Sequence, residues 1–99
     1  MRPPRILLVC QGNLCRSPMA LAVTTRLVLQ ARPKLRLQLD SAGTYAAAHA
    51  RPDARAVATL AHHGYPMPRM RARPVVARDF LQQDQILAMD QDNLAALQR

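Results

Sequence analysis

The order of apolar and polar residues along the chain switches between the period of a strand and the period of a helix. Ile6-Leu7-Leu8-Val9 is a continuous apolar run inside Arg5 to Cys10. It is too short for an ordinary helix and rich in branched side chains, so it predicts a strand buried on both faces. From Met19 to Ala31 the apolar positions Met19, Val23, Leu27 and Ala31 recur every fourth residue, which predicts a helix that Pro33 breaks. Leu35, Leu37 and Leu39 alternate with Arg36 and Gln38, the pattern of a half-buried edge strand. Asp53 to His63 predicts a second helix, with Val57, Leu60 and Ala61 inward and Gly64 as its stop. Tyr65 to Pro74 carries three prolines and reads as a loop. Gln85 to Met89 predicts a third strand, and Asn93 to Gln98 begins a last helix. No internal repeat or low-complexity linker interrupts the run. Strands alternating with helices predict an α/β fold in three layers, a parallel sheet with helices on both faces and right-handed connections.

The segment between the first strand and the first helix, Cys10-Gln11-Gly12-Asn13-Leu14-Cys15-Arg16-Ser17-Pro18, carries the candidate chemistry. A thiol and a guanidinium stand at the two ends of a loop short enough to turn successive N–H groups toward one point, with a helix N-terminus behind them. That is a site for a phosphate-like dianion at the carboxyl end of a strand, where open α/β sheets bind ligands. Cys10 is the candidate nucleophile, since a thiolate favoured by such a field attacks phosphorus. Arg16 is the candidate clamp, a planar fork that holds two equatorial oxygens. Gly12 allows close backbone approach and Asn13 tolerates a left-handed conformation. Ser17 suits a helix N-cap and Pro18 the first helical position, and the Ser17 hydroxyl is placed to donate to Cys10.

These residues resemble the low-molecular-weight protein tyrosine phosphatases, whose loop Cys-X-Gly-Asn-X-Cys-Arg-Ser-Pro is matched from Cys10 to Pro18. Further matches are Asp40-Ser41-Ala42-Gly43-Thr44, Arg71-Ala72-Arg73, Asp79-Phe80, Met89-Asp90 and Asn93-Leu94. The resemblance implies hydrolysis of phosphotyrosine or aryl phosphate through a phosphocysteine on Cys10, without metal or cofactor. The phosphate would be bound by residues Gln11, Gly12, Asn13, Leu14, Cys15 and Arg16. Ser17 and Ser41 would support the loop, Asp90 would pair with Arg16, and Cys15 would form a protective disulfide with Cys10, the other reading of Cys15 being a small buried packing residue. It also implies strand order 2-1-3-4 with strand 4 absent, which leaves strand 3 at an edge open to self-association. The family carries glutamate at the position of Leu21 and histidine near Met70, both apolar here. It also continues into an acid loop bearing Asp-Pro, a last strand and a last helix, and no Asp-Pro occurs in this sequence. Residues 1–99 are thus expected to form one such domain without those parts. A missing general acid costs about 10²–10⁴ in rate. Two alternatives stay open: a non-catalytic phosphate or phosphotyrosine binder, and an arsenate reductase-like oxidoreductase, against which the absence of cysteine after Cys15 weighs.

Composition narrows the classes. The chain has 99 residues, room for one core, and Phe80 is its only phenylalanine with no tryptophan, so that core is expected to be aliphatic. No apolar run reaches membrane-span length, and Met1-Arg2-Pro3-Pro4 is no secretory signal, so the cytoplasm is the expected compartment. Two cysteines inside one anion loop make neither a disulfide scaffold nor a zinc set, and His62 and His63 point in different directions on a helix. The net charge of +8 comes mostly from scattered arginines without interleaved aromatics, which reads as solvated surface rather than a nucleic-acid groove. The denser cluster from Arg69 to Arg73 would suit acidic phosphopeptides or dock a further C-terminal segment. Tyr45 is the better of the two tyrosines for lining a phosphotyrosine cleft.

Overall fold

Arg5–Cys10 forms the central strand β1 of a parallel sheet in the computed structural model, which describes residues 2–99. Helix α1 (Arg16–Ala31), strand β2 (Gln38–Gly43), helices α2 (Ala54–His62) and α3 (Ala77–Gln82), strand β3 (Gln85–Ala88) and helix α4 (Gln91–Leu97) follow in order. The sheet order is β2-β1-β3, with Cys10 opposite Gly43 on one side and Val9 opposite Ala88 on the other. Leu7 and Val9 are fully buried with Ala42, and Val75, Ile86 and Leu97 pack against them. Strand alternation turns Leu8 and Cys10 to the opposite face, where α1 packs on β1 and β2. The core is aliphatic as expected, and Phe80 is exposed.

Four expectations need correction. The second strand begins at Gln38, not Leu35, because Pro3 and Pro4 precede Arg5 and offer no N–H to lengthen the ladder. Leu35 and Leu37 instead line a shallow groove with Val28 and Leu29 of α1. The inward face of α1 is Ser17, Pro18, Leu21 and Ala22, whereas Leu27 is 49% exposed. A row of residues four apart drifts about 40° around a helix at each step, so the stripe from Met19 leaves the buried face within three steps. In α2 the buried residues are Ala56 and Leu60, and Val57 and Ala61 face out. Helix α3 was not legible because Asp79 creates its start from within, accepting from the Val76 N–H at 2.8 Å.

Strand β3 pairs only with β1, and Leu87 on it is 44% exposed, so the open edge expected for the third strand is present. Among the described residues no helix is long and apolar enough to cross a membrane.

Candidate active site

The turn from β1 into α1 brings Cys10 and Arg16 to opposite ends of one loop. Helix α1 starts at Arg16 with Cys15 as N-cap, and no side chain caps it. Ser17, expected at the cap, lies inside the first turn and is spent on the site instead. Its Oγ is 3.0 Å from the Cys10 sulfur, which is buried at 3% exposure and also accepts the Asn13 N–H at 3.3 Å.

The loop carbonyls are held by neighbouring segments. Cys10 O accepts from Thr44 N–H, Gln11 O from Tyr45 N–H, Leu14 O from Asp53 N–H and Cys15 O from Met19 N–H, at 2.7–3.0 Å. All peptide bonds among the described residues are trans, and in a trans peptide the next N–H points opposite to the carbonyl. Pinning those four oxygens therefore turns the N–H groups of Gln11, Gly12, Cys15 and Arg16 away from the flanking chain, free for an anion.

Asn13 sets the interior of the loop. It is fully buried and left-handed, with φ of 56°, a conformation asparagine tolerates better than most residues. Its Oδ1 accepts from the Arg73 N–H at 3.0 Å, which fixes the amide orientation. Its Nδ2 then donates to Ser17 Oγ at 2.8 Å and Ser41 Oγ at 2.9 Å. Ser17 Oγ thus lies between that amide and the Cys10 sulfur, and a Cys10 thiolate, which can only accept, takes the Ser17 proton; Ala42 O, the other acceptor, is at 3.5 Å. Ser41 sends its proton to Met70 Sδ at 3.8 Å, so this thioether occupies a position that the resemblance assigns to a polar support. Leu21, the other apolar departure, is buried on α1.

Arg16 Nη1 donates to Asp90 Oδ2 at 2.7 Å, the pairing the resemblance implied. The Arg16 guanidinium and the Asn93 N–H hold the Asp90 carboxyl below the usual carboxylate range, and the arginine is raised in return. Asp90 also caps α4, accepting from Asn93 N at 2.7 Å, which ties that helix to the loop's cation.

Three features escaped the sequence reading. Gly43, rather than Gly12, is the glycine the protein's own packing requires. A Cβ at Gly43 would stand 2.4 Å from Gln11 O, whereas one at Gly12 would meet only the Leu14 side chain at 3.8 Å. Arg73, whose N–H holds Asn13, is itself anchored by ion pairs to Asp79 and Asp40, both at 3.0 Å. Burial would push the Asp79 carboxyl up, but the donors from Arg73 and Val76 outweigh it and hold the group down. Their identities were visible as motif matches, but nothing in the spacing showed what they touch. Finally, Cys15 is exposed, its sulfur 3.9 Å from Met19 Sδ, so the reading of a small buried packing residue is wrong. Tyr45, 84% exposed, lines a cleft of about 530 Å³ beside Gln11 and Asp92.

Known proteins show the same arrangement of chain. A family model described as low molecular weight phosphotyrosine protein phosphatase matches residues 5–99. Low molecular weight phosphotyrosine protein phosphatase 2 of Drosophila melanogaster is 45% identical over 95% of this chain and 57% of its own length. The human low molecular weight phosphotyrosine protein phosphatase is 41% identical over 95% of this chain and 60% of its own. Among solved structures, a low molecular weight phosphotyrosine phosphatase from Vibrio cholerae superposes with a TM-score of 0.87 at 40% identity, over 96% of this chain and 61% of that one. A Drosophila arginine phosphatase superposes with a TM-score of 0.83 at 37% identity, over 94% and 59%. The chain thus spans less than two thirds of the length of these relatives. Since the family model runs through the loop, the sheet and α4 alike, the chain belongs to the low molecular weight phosphotyrosine protein phosphatase family.

Proposed function

We propose that this chain hydrolyses phosphotyrosine and related aryl phosphate monoesters through a phosphocysteine intermediate. The observation that carries the reading is a buried Cys10 sulfur receiving the Ser17 hydroxyl and the Asn13 N–H beneath a loop whose carbonyls are tied outward. The free N–H groups of Gln11, Gly12, Cys15 and Arg16 cradle the phosphate, and the Arg16 fork, aimed by Asp90, holds equatorial oxygens as charge builds in the transition state. Cys10 attacks phosphorus, forming an S–P bond as the bond to the aryl oxygen breaks. Water then attacks the phosphocysteine, releasing inorganic phosphate and restoring the thiolate. Neither step draws on a cofactor.

The departing aryl oxygen takes a proton or leaves as an anion. Asp40, Asp53, Asp79, Asp84 and Asp90 are each paired with an arginine, and Asp92 lines the cleft beside Gln11. Leaving groups that are stable as anions need no proton from these carboxyls and are the favoured substrates. Exposed Cys15 is proposed as the partner that traps oxidised Cys10 as a disulfide, which fits a reducing, cytoplasmic compartment.

A phosphate-release assay on nitrophenyl phosphate, phosphotyrosine peptide and phosphoarginine, with Cys10→Ser and Arg16→Lys beside the unaltered chain, tests the reading. Turnover of the aryl esters, lost in both variants, is expected. Tight vanadate binding without turnover would make the chain a phosphate binder, and turnover of phosphoarginine alone would overturn the substrate assignment.

A further inference from the structure

A second feature beside the loop has no part in the chemistry above. Between the N-terminal end of α2 and the segment 67–71 lies a groove of about 690 Å³. Its floor is apolar, formed by Val57, Met67 and Met70, and its rim carries Arg51, Arg69 and Arg71. All three arginines are exposed, and none makes an ion pair among the described residues, although Asp40, Asp53, Asp79, Asp84 and Asp90 are all paired with other arginines. Cations gathered around an apolar floor with no carboxylate among them leave a charge that only an outside group can answer.

Hydrogen bonds tie the walls of the groove to the anion loop and its support. Pro52 lines it, and the next residue, Asp53, donates its N–H to Leu14 O of the loop at 2.7 Å. Met70 on the floor accepts the Ser41 hydroxyl that helps to hold Asn13. The lining holds no aromatic side chain on which a base could stack, which disfavours single-stranded nucleic acid, and its methionines suit irregular aliphatic side chains.

We propose that this groove docks an acidic segment of the substrate protein that bears an aliphatic side chain. The proposal deepens the phosphatase reading and rests on it for the identity of the docked chain, but binding to the groove is measurable without turnover.

The test is fluorescence anisotropy of a labelled, unphosphorylated Asp/Glu/Leu peptide and of its Asn/Gln/Leu counterpart. The acidic peptide should bind and the neutral one should not, and affinity should fall steeply with added salt, since exposed charges are screened over about 8–10 Å. The variant Arg51→Ala/Arg69→Ala/Arg71→Ala should weaken binding about tenfold, as loss of three exposed ion pairs implies. The variant Arg26→Ala/Arg32→Ala/Arg36→Ala removes the same charge elsewhere and should leave binding unchanged. Nitrophenyl phosphate turnover should be the same in both. Equal weakening in the two variants would reduce the effect to net charge and overturn the proposal. So would an oligonucleotide of equal charge that binds as tightly and is lost with the groove arginines. Absent turnover with groove-dependent binding would sink the phosphatase reading while upholding the docking groove.

Discussion

Replacing Asn13 by alanine strikes the point where the backbone of the loop and its side-chain support meet. Three consequences follow from the geometry. Alanine in a left-handed conformation costs about 1 kcal/mol more than asparagine, which reaches it through local hydrogen bonds. The Arg73 N–H loses its acceptor, a cost of about 1–3 kcal/mol for a donor shielded from water. The buried hydroxyls of Ser17 and Ser41 lose the amide donor that orients them, at about 0.5–1.5 kcal/mol each. Together these reach about 3–7 kcal/mol, a large part of the 5–15 kcal/mol that holds a typical domain. Urea unfolding followed by circular dichroism measures the loss. Asn13→Gly separates the backbone share, because glycine accepts φ of 56° freely, and should recover about 1 kcal/mol over Asn13→Ala. Asn13→Asp probes the chemistry. It keeps an acceptor for Arg73 but offers no donors, so both serine hydroxyls must turn toward it and Ser17 abandons the sulfur. Turnover should then fall on the order of 10²-fold, as for a displaced reacting group, at temperatures where the variant is folded. An Asn13→Ala variant within 1 kcal/mol of the unaltered chain, or no recovery in Asn13→Gly, would refute this account of the loop.

Other expectations follow from the same structure. Gly43→Ala drives a Cβ against Gln11 O and should cost at least about 1–3 kcal/mol in a thermal melt, while Gly12→Ala should fold normally and lose phosphate affinity. Asp90→Asn frees the Arg16 fork and should lower kcat/KM about ten- to hundredfold with little change in Tm, since the pair is exposed. Asp53, Asp79, Asp84 and Asp90 are held below their unfolded values. Their stabilisation is therefore complete above the unfolded carboxylate pKa of about 3.9 and is lost as pH falls through the lower folded values, so unfolding midpoints should be flat near neutrality and drop below about pH 4. The open edge of β3 should make association rise with concentration in sedimentation velocity, and Leu87→Lys should suppress it.

The parts legible in the sequence were those that local chemistry fixes. A five-residue loop from strand to helix, bounded by an apolar run and Pro18, was enough to place Cys10 and Arg16, and the alternation of elements was enough for a parallel three-layer fold, while the sheet order came only with the family resemblance. What stayed hidden depends on contacts between distant segments. Gly43 is indispensable because Gln11 O, the Ala46 side chain and Asn13 N lie against it, and Arg73 matters through one backbone N–H that reaches Asn13 across 60 positions. Ser17 shows the same limit from the other side. Its residue type suits a helix cap, but the nearby sulfur claims the hydroxyl. Regular spacing misled where geometry accumulates, as on α1, whose every-fourth-residue stripe turns out of the core by Leu27.

The central claim is that the Cys10 sulfur takes the phosphoryl group inside this loop, and rapid acid quench during turnover of nitrophenyl phosphate, followed by peptide mass spectrometry, tests it most directly. A phosphoryl adduct on the peptide containing Cys10, absent in Cys10→Ala, is the predicted result. Turnover that persists in Cys10→Ala, or an adduct carried by another residue, would contradict it.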